Sequence, residues 1–272
     1  MPRHRTRMPG KRKRKRGNRT RRRRSSCAEP LLDPGRKQID AWTREIGREL
    51  LAASPWIDAP DFTAIHPDDL AFLFRAYDRR FLMGFARRRI TPEALAFRLS
   101  SRMTRAGGKT SRRVRTDGTV DYEIAVSTEV LFNGFADGDP PVSVAGIPCA
   151  NRLEALQRIF EHEIVHLVEF VRTGESNCGA RPFQELAHRL FRHRHHTHTL
   201  ITRVERAAQR GIRVGSRVAF MYQGERLLGR VNRVTKRATV LVEDPEGDRY
   251  SDGGRYRKYY VPLAGLELAE GG

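Results

Sequence analysis

Residues 151–173, NRLEALQRIFEHEIVHLVEFVRT, are the stretch from which the rest of the fold can be worked out. His162 and His166 lie four residues apart, so on a helix of about 3.6 residues per turn both imidazoles project from one face. Apolar residues cover most of the remaining circumference, which is typical of a helix that runs through a core. The stretch therefore predicts a buried helix on which two imidazole nitrogens converge on one metal ion.

Glu163 indicates that the predicted metal site is catalytic. It follows His162 about 100° further round the helix, so its carboxylate can reach a water molecule on the metal without being a ligand. Zinc lowers the pKa of such a water to about 7, and Glu163 would act as the general base when hydroxide attacks a carbonyl. The motif predicts zinc as the cofactor and peptide hydrolysis, with a protein as the substrate.

Charge divides the chain unevenly. The 272 residues suffice for one sizeable domain and a smaller one. The net charge is +20, but residues 1–24 hold 14 Lys and Arg and no acid, and the other 38 basic residues exceed the 32 acidic ones by only six. We expect residues 1–35 to be a disordered basic tail, because they bury too little apolar surface. Such a tail attracts phosphate backbones, so nucleic acid is a predicted partner.

The sequence predicts a soluble, cytoplasmic protein without membrane contact. No apolar run follows the N-terminal charges as a secretory signal requires, and no later run reaches the roughly 18 apolar residues of a membrane span. The three cysteines, Cys27, Cys149 and Cys178, are too few for a disulfide framework in a chain of this length.

The elements around the predicted metal-binding helix (residues 151–173), called the metal helix below, indicate an α+β domain over residues 36–210. Apolar residues at helical spacing predict five further helices, over residues 37–53, 67–87, 127–135, 183–191 and 200–210. Alternating residues predict two strands, 94–103 and 119–126, that pair as a small antiparallel sheet beside the metal helix. Helices, a small sheet and more helices make up the predicted metallopeptidase domain.

From residue 211 the composition changes. Short alternating segments, separated by glycine or charged turns, predict a small all-β barrel of the Tudor or KOW kind over residues 211–272. Basic side chains beside tyrosines could hold phosphates and stack bases. The candidate nucleic-acid-binding cations are Arg230, Arg233, Lys236 and Arg237. The tyrosines are Tyr222, Tyr250, Tyr256, Tyr259 and Tyr260, which fit a core equally well.

A histidine-rich run, RLFRHRHHTH, occupies residues 189–198. Its histidines include His193, His195, His196 and His198 and are interrupted by arginines. This favours a solvated, basic helix end or a phosphate contact over a second metal site.

The region around residues 70–191 resembles the SprT-like metalloprotease family. Five stretches carry the resemblance in order: FLFRAYDRRF (72–81), FRLSSRMTRAGG (97–108), DYEIAVS (121–127), LQRIFEHEIVHLVEF (156–170) and FQELAHRLF (183–191). The resemblance implies a gluzincin-like fold, a zinc ion and cleavage of proteins on DNA. It also implies that His162 and His166 are the first two ligands and that Glu163 is the catalytic acid residue.

The third zinc ligand departs from the family pattern. The family usually has a histidine shortly before the phenylalanine that matches Phe183, but the sequence here is SNCGARPF (176–183). Cys178 occupies the matching place, and a thiolate is a good zinc ligand. Glu185 and His188 remain alternatives, because Glu185 has nearly the spacing of thermolysin-like enzymes and His188 lies one turn later.

A second interpretation makes the metal structural. Structural zinc sites are closed by four protein ligands, whereas catalytic ones keep a position for water. In that case the protein would be a non-catalytic nucleic-acid-binding protein that works through the barrel and the basic tail.

Overall fold

The computed structural model describes residues 31–136 and 139–269 of the chain. The α-helices in these ranges are α1 Arg36–Ala53, α2 Pro67–Phe81, α3 Thr128–Asn133, α4 Arg152–Thr173, α5 Arg181–Phe191 and α6 Arg203–Gln209. The strands are β1 Leu95–Ser100, β2 Gly108–Val114, β3 Val120–Ser127, β4 Val142–Val144, β5 Ile147–Cys149, β6 Arg217–Tyr222, β7 Glu225–Val234, β8 Arg237–Arg249, β9 Arg255–Pro262 and β10 Glu267–Leu268. Mixed α and β structure is therefore confirmed, and the described residues from Leu31 onward form one unit.

The predicted disordered tail extends only partly into the described residues. Residues 1–30 lie outside them, but Leu31 is buried in the core, and Arg192 Nη2 donates to the Pro34 carbonyl at 3.1 Å. The prediction was therefore wrong for residues 31–35, because Leu31 has apolar surface to bury. Within the described parts, no helix is long and apolar enough to cross a membrane.

Helix α2 ends six residues earlier than predicted. Met83 and Gly84 have φ values of 53° and 76°, in the left-handed region that terminates helices. The buried Asp78 carboxylate accepts from the Ala86 amide at 2.9 Å and from Arg87 Nε at 2.9 Å. These bonds hold the following turn in place. Apolar residues therefore continue at helical spacing beyond the end of the helix.

The sheet beside α4 has three strands in the order β1-β3-β2, with β3 in the centre. Strands β1 and β3 are parallel, with Leu95 opposite Tyr122, whereas β2 and β3 are antiparallel, with Gly108 opposite Val126. The predicted antiparallel pairing of the first and last strands was wrong. Strand β2 was missed because its sequence, GKTSRRV, is too polar to show alternation, and it takes the antiparallel place beside β3.

The C-terminal module is an open sheet and not the predicted barrel. Its five antiparallel strands have the order β10-β6-β7-β8-β9. Strands β9 and β10 lie at the two edges and are not paired with each other in the part of the chain that the structure describes. Strand β10 has only two residues, which pair with Val218 and Ala219 of β6. One sheet face covers a separate small core, which includes Val218, Phe220, Val231 and Val240.

A buried polar network connects α4 to the first two helices. The Glu161 carboxylate is fully buried and accepts from Tyr77 at 2.9 Å, Arg158 at 2.9 Å and Thr43 at 3.3 Å, and His193 Nε2 lies 3.0 Å from it. Burial alone would raise the pKa of Glu161, but the Arg158 guanidinium and His193 outweigh it and lower the pKa. The carboxylate is therefore ionised in the core, where its charge depends on these donors.

We expect Arg158→Leu to lower the free energy of unfolding by about 3–5 kcal/mol, because a buried carboxylate loses its counter-charge. Urea unfolding followed by circular dichroism measures this. The matched control is Arg181→Leu, which removes an exposed arginine that also pairs with a glutamate of its own helix and should cost less than about 1 kcal/mol. Equal losses in the two variants would contradict the importance of the network.

Candidate metal centre and cleft

The two histidines of the motif face each other as predicted. Helix α4 is capped at its N-terminus by Asn151, whose side chain accepts from the Glu154 amide at 3.0 Å, and at its C-terminus by Gly174, which has a φ of 83°. Between these ends, Nε2 of His162 and Nε2 of His166 lie 3.2 Å apart. In a tetrahedral site with zinc–nitrogen distances of about 2.0–2.1 Å, two nitrogens lie about 3.3 Å apart. The pair thus has the spacing of two ligands of one ion.

The hydrogen bonds of His166 determine its tautomer. Ser176 Oγ donates its proton to Glu169 Oε2 at 2.6 Å. A serine hydroxyl has only one proton, so the 2.7 Å contact between His166 Nδ1 and Ser176 Oγ requires that Nδ1 donates. This leaves the lone pair of Nε2 free and oriented toward His162. Outer-shell hydrogen bonds of this kind orient metal-binding histidines.

Cys178 is the third member of the cluster. Its sulfur and the nitrogens of His162 and His166 all lie within 4.8 Å of one another. A tetrahedral ion would need nitrogen–sulfur separations of about 3.6 Å, which lie within this limit. Two imidazoles and a thiolate also form a donor set that zinc accepts. The residues present therefore fit a zinc ion.

The protonation states suit metal binding at neutral pH. Burial lowers the pKa of His162 to about 3, helped by His166 and other histidines nearby, and burial lowers that of His166 to about 4. Both imidazoles are thus neutral and can donate a lone pair. Burial raises the pKa of the Cys178 thiol, so the thiol must release a proton when a metal binds.

The two alternative third ligands lie elsewhere. Glu185 is exposed and accepts from Arg181 Nε at 2.7 Å on the outer side of α5. His188 Nδ1 lies 3.2 Å from the His193 carbonyl. Neither residue lines the cleft above His162, and Cys178 does.

Glu163 lies beside the cluster but does not belong to it. Its carboxylate is buried, and Thr110 Oγ1 lies 2.8 Å from Oε2 and 3.0 Å from the Glu163 carbonyl oxygen. Burial raises the pKa of Glu163 to about 7, although hydrogen bonds from Thr110 oppose the shift. A carboxyl with this pKa can accept and return a proton near neutral pH. Thr110 was not identified from the sequence because it lies on strand β2, which was not predicted.

Two glycines allow the start of β2 to lie directly over α4. A Cβ atom at Gly107 would approach Ile159 to 2.9 Å, and one at Gly108 would approach Glu163 Oε1 to 2.6 Å. The segment from Arg105 to Thr110 thereby forms one wall of a cleft of about 490 Å³. His162, Glu163, His166 and Cys178 all line this cleft. The sequence analysis did not predict this close approach.

Part of the histidine-rich run also lines the cleft. Helix α5 ends at Phe191, and Arg192 adopts a left-handed conformation with a φ of 59°. His193 then turns inward to Glu161, while His196 and His198 line the cleft. The prediction of a solvated helix end was therefore wrong for His193 and His198. The predicted helix end at residue 191 is confirmed, but the inward turn of His193 was not predicted.

The four predicted nucleic-acid-binding residues lie on the C-terminal sheet and not at the cleft. Arg230 and Arg233 belong to β7, Arg237 begins β8, and Lys236 lies in the turn between these strands. All four are exposed.

Comparison of the chain with protein-family models, with curated protein sequences and with solved structures found no significant match.

Proposed function

We propose that the chain is a zinc-dependent metallopeptidase of the SprT-like type that hydrolyses protein substrates. The observation that carries the proposal is the arrangement in the cleft. Three ligand atoms lie within 4.8 Å of one another, and a buried carboxylate that is not one of them lines the same cleft. This is the arrangement that metal-assisted hydrolysis requires.

The metal would be held by His162, His166 and Cys178. When bound, zinc supplies Lewis-acid chemistry, which polarises a carbonyl and makes water acidic enough to lose a proton near pH 7. A thiolate donates more charge than an imidazole, so we expect slower hydrolysis than at a site with three histidines. The outer-shell bond from His166 to Ser176 keeps the imidazole in its ligand tautomer.

The number of donors favours a catalytic over a structural metal. A structural zinc site needs four protein ligands, whereas a catalytic one has three and an open position. Among the described residues, the only cluster of metal-ligating side chains has three members. A non-catalytic protein with a closed zinc site would require a fourth.

Glu163 would move the proton in this reaction. Its carboxylate accepts the proton of the attacking water and returns it to the leaving amine, which a pKa near 7 permits in both directions. Thr110 fixes Oε2 and leaves Oε1 as the oxygen nearest to Gly108. The substrate would lie extended along the wall from Arg105 to Thr110, beside β2, which is an edge strand of the three-stranded sheet.

We expect Cys178→Ser to bind zinc at least tenfold more weakly than the wild type, because a thiolate ligand is lost. Metal analysis of purified protein and competition with a chromophoric chelator measure this. Glu185→Gln is the matched control, since it alters a carboxylate outside the cleft, and it should retain its zinc. Full zinc retention in the serine variant would exclude Cys178 as a ligand.

We expect Glu163→Gln to keep its zinc and to lower kcat for casein cleavage about 100-fold or more, since an amide cannot accept the proton. Cleavage should be measured with and without single-stranded DNA. Unchanged proteolysis in this variant would falsify the assignment of Glu163 as the general base.

We expect Thr110→Val to lower kcat about tenfold or more while zinc content stays the same, because Glu163 loses the hydrogen bond that orients it. Thr110→Ser keeps the hydroxyl and should restore most of the activity. A role in packing alone predicts the reverse, since valine keeps the shape of threonine and serine does not. Greater loss in the serine variant would thus contradict the positioning role.

A further inference from the structure

The outer face of the C-terminal sheet collects arginines that regular strand geometry would separate. Arg230 and Arg233 are three residues apart on β7, so alternation would place them on opposite faces. The pairing of β7 with β8 shifts between Val231 and Arg233, so Asn232 is an extra residue. Such a bulge restores both arginines to one face.

Cross-strand register brings further residues to the same face. Arg230 lies opposite Arg217 of β6 on one side and opposite Leu241 of β8 on the other. Leu241 in turn lies opposite Lys258 of β9. In the next row, Arg233 lies opposite Thr239, and Thr239 lies opposite Tyr260. We call the surface formed by Arg217, Arg230, Arg233, Lys258 and Tyr260 the basic face.

The arginines of the basic face lack counter-charges. Arg217, Arg230 and Arg233 are exposed, and none forms an ion pair with an acid in the parts of the chain that the structure describes. Directly opposed like charges on neighbouring strands destabilise a sheet, and Arg217 and Arg230 are such a pair. A bound polyanion would relieve this repulsion.

Three acids of the sheet are paired with other cations. Arg257 Nε lies 2.8 Å from Asp244, Lys258 lies 3.2 Å from Asp248, and Arg226 lies 3.7 Å from Glu267. These three acids are therefore not available as counter-charges for Arg217, Arg230 and Arg233.

Tyr260 adds an aromatic surface beside the arginines. Tyr260 is 65% exposed, compared with 47% for Tyr222 of the same sheet. Its neighbour Tyr259 points to the other face, where its ring packs 5.4 Å from that of Phe220. The two adjacent tyrosines thus have different roles, with Tyr259 in the core and Tyr260 free to contact a ligand.

We propose that the basic face binds single-stranded nucleic acid, with Arg217, Arg230 and Arg233 on phosphates and Tyr260 stacked on a base. Arg217 and Arg230 lie on neighbouring strands about 4.8 Å apart, and Arg233 follows Arg230 along β7 at about 3.3 Å per residue, so the three arginines can contact phosphates along an extended strand. A ring that stacks on any base selects an unpaired strand over a duplex, because duplex bases are already stacked. The proposal does not depend on the reaction in the cleft.

Fluorescence anisotropy with an oligothymidylate of about 16 nucleotides tests the basic face in the full-length chain. In the triple variant Arg217→Gln, Arg230→Gln, Arg233→Gln we expect at least tenfold weaker binding. Each phosphate contact contributes about 0.7 to the magnitude of the slope of log K against log salt for a single strand. The loss of three contacts should therefore reduce that magnitude by about 2. The control is Arg257→Gln, which removes a paired cation of the same sheet and should change the affinity less than twofold.

The Tyr260→Leu variant tests stacking. We expect about fivefold weaker binding of the oligothymidylate and little change for a duplex of equal length. Thermal unfolding provides the folding control, and the triple variant should be no less stable than the wild type because it removes a like-charge pair.

Photo-crosslinking locates the bound strand independently of the basic N-terminal residues. With 5-iododeoxyuridine in the oligonucleotide, we expect a crosslinked peptide that contains Tyr260. Crosslinks confined to other segments, or a triple variant that binds as tightly as the Arg257→Gln control, would overturn the proposal. The proposal would also be overturned if polyglutamate displaced the oligonucleotide and the Tyr260→Leu variant bound the oligonucleotide as tightly as the wild type. The basic face would then be a site for acidic proteins.

Discussion

The structure depends on one constraint: a helix with apolar residues on most of its circumference must be buried and still present two imidazoles and a carboxylate to a cleft. Helix α4 satisfies this constraint because the chain that covers it does so at Gly107 and Gly108, which have no side chains. Side chains at Gly107 and Gly108 would collide with Ile159 and Glu163. Their absence allows the strand to seal the core and to form a wall of the cleft at the same time. The raised pKa of Glu163 is a direct result of this close cover.

Sequence alone was sufficient for the metal helix, because the His162–His166 spacing and the apolar cover are local properties. It also predicted that Cys178 lies near the histidines, although only the structure separates it from Glu185 and His188. Strand β2 and Thr110 could not be predicted, since polar strands are stabilised by their neighbours and not by their own pattern. The inward turn of His193 depends on a single left-handed residue, Arg192.

The C-terminal sheet shows the same limit in another form. Its strands were predictable from alternation, but closure into a barrel was not, because closure depends on whether the edge strands meet. The prediction that Arg230 and Arg233 act together depends on the extra residue at Asn232. Alternation applied without that bulge would have placed the two arginines on opposite sides of the sheet.

The buried carboxylate of Glu161 has a consequence for the orientation of the whole helix. A cylinder with apolar side chains nearly all round packs almost equally well at several rotations about its axis. Directional bonds remove this freedom: turning α4 by one residue would withdraw Glu161 from Thr43, Tyr77 and His193 together. The ionised carboxylate in the core thus determines which side of the helix faces the cleft.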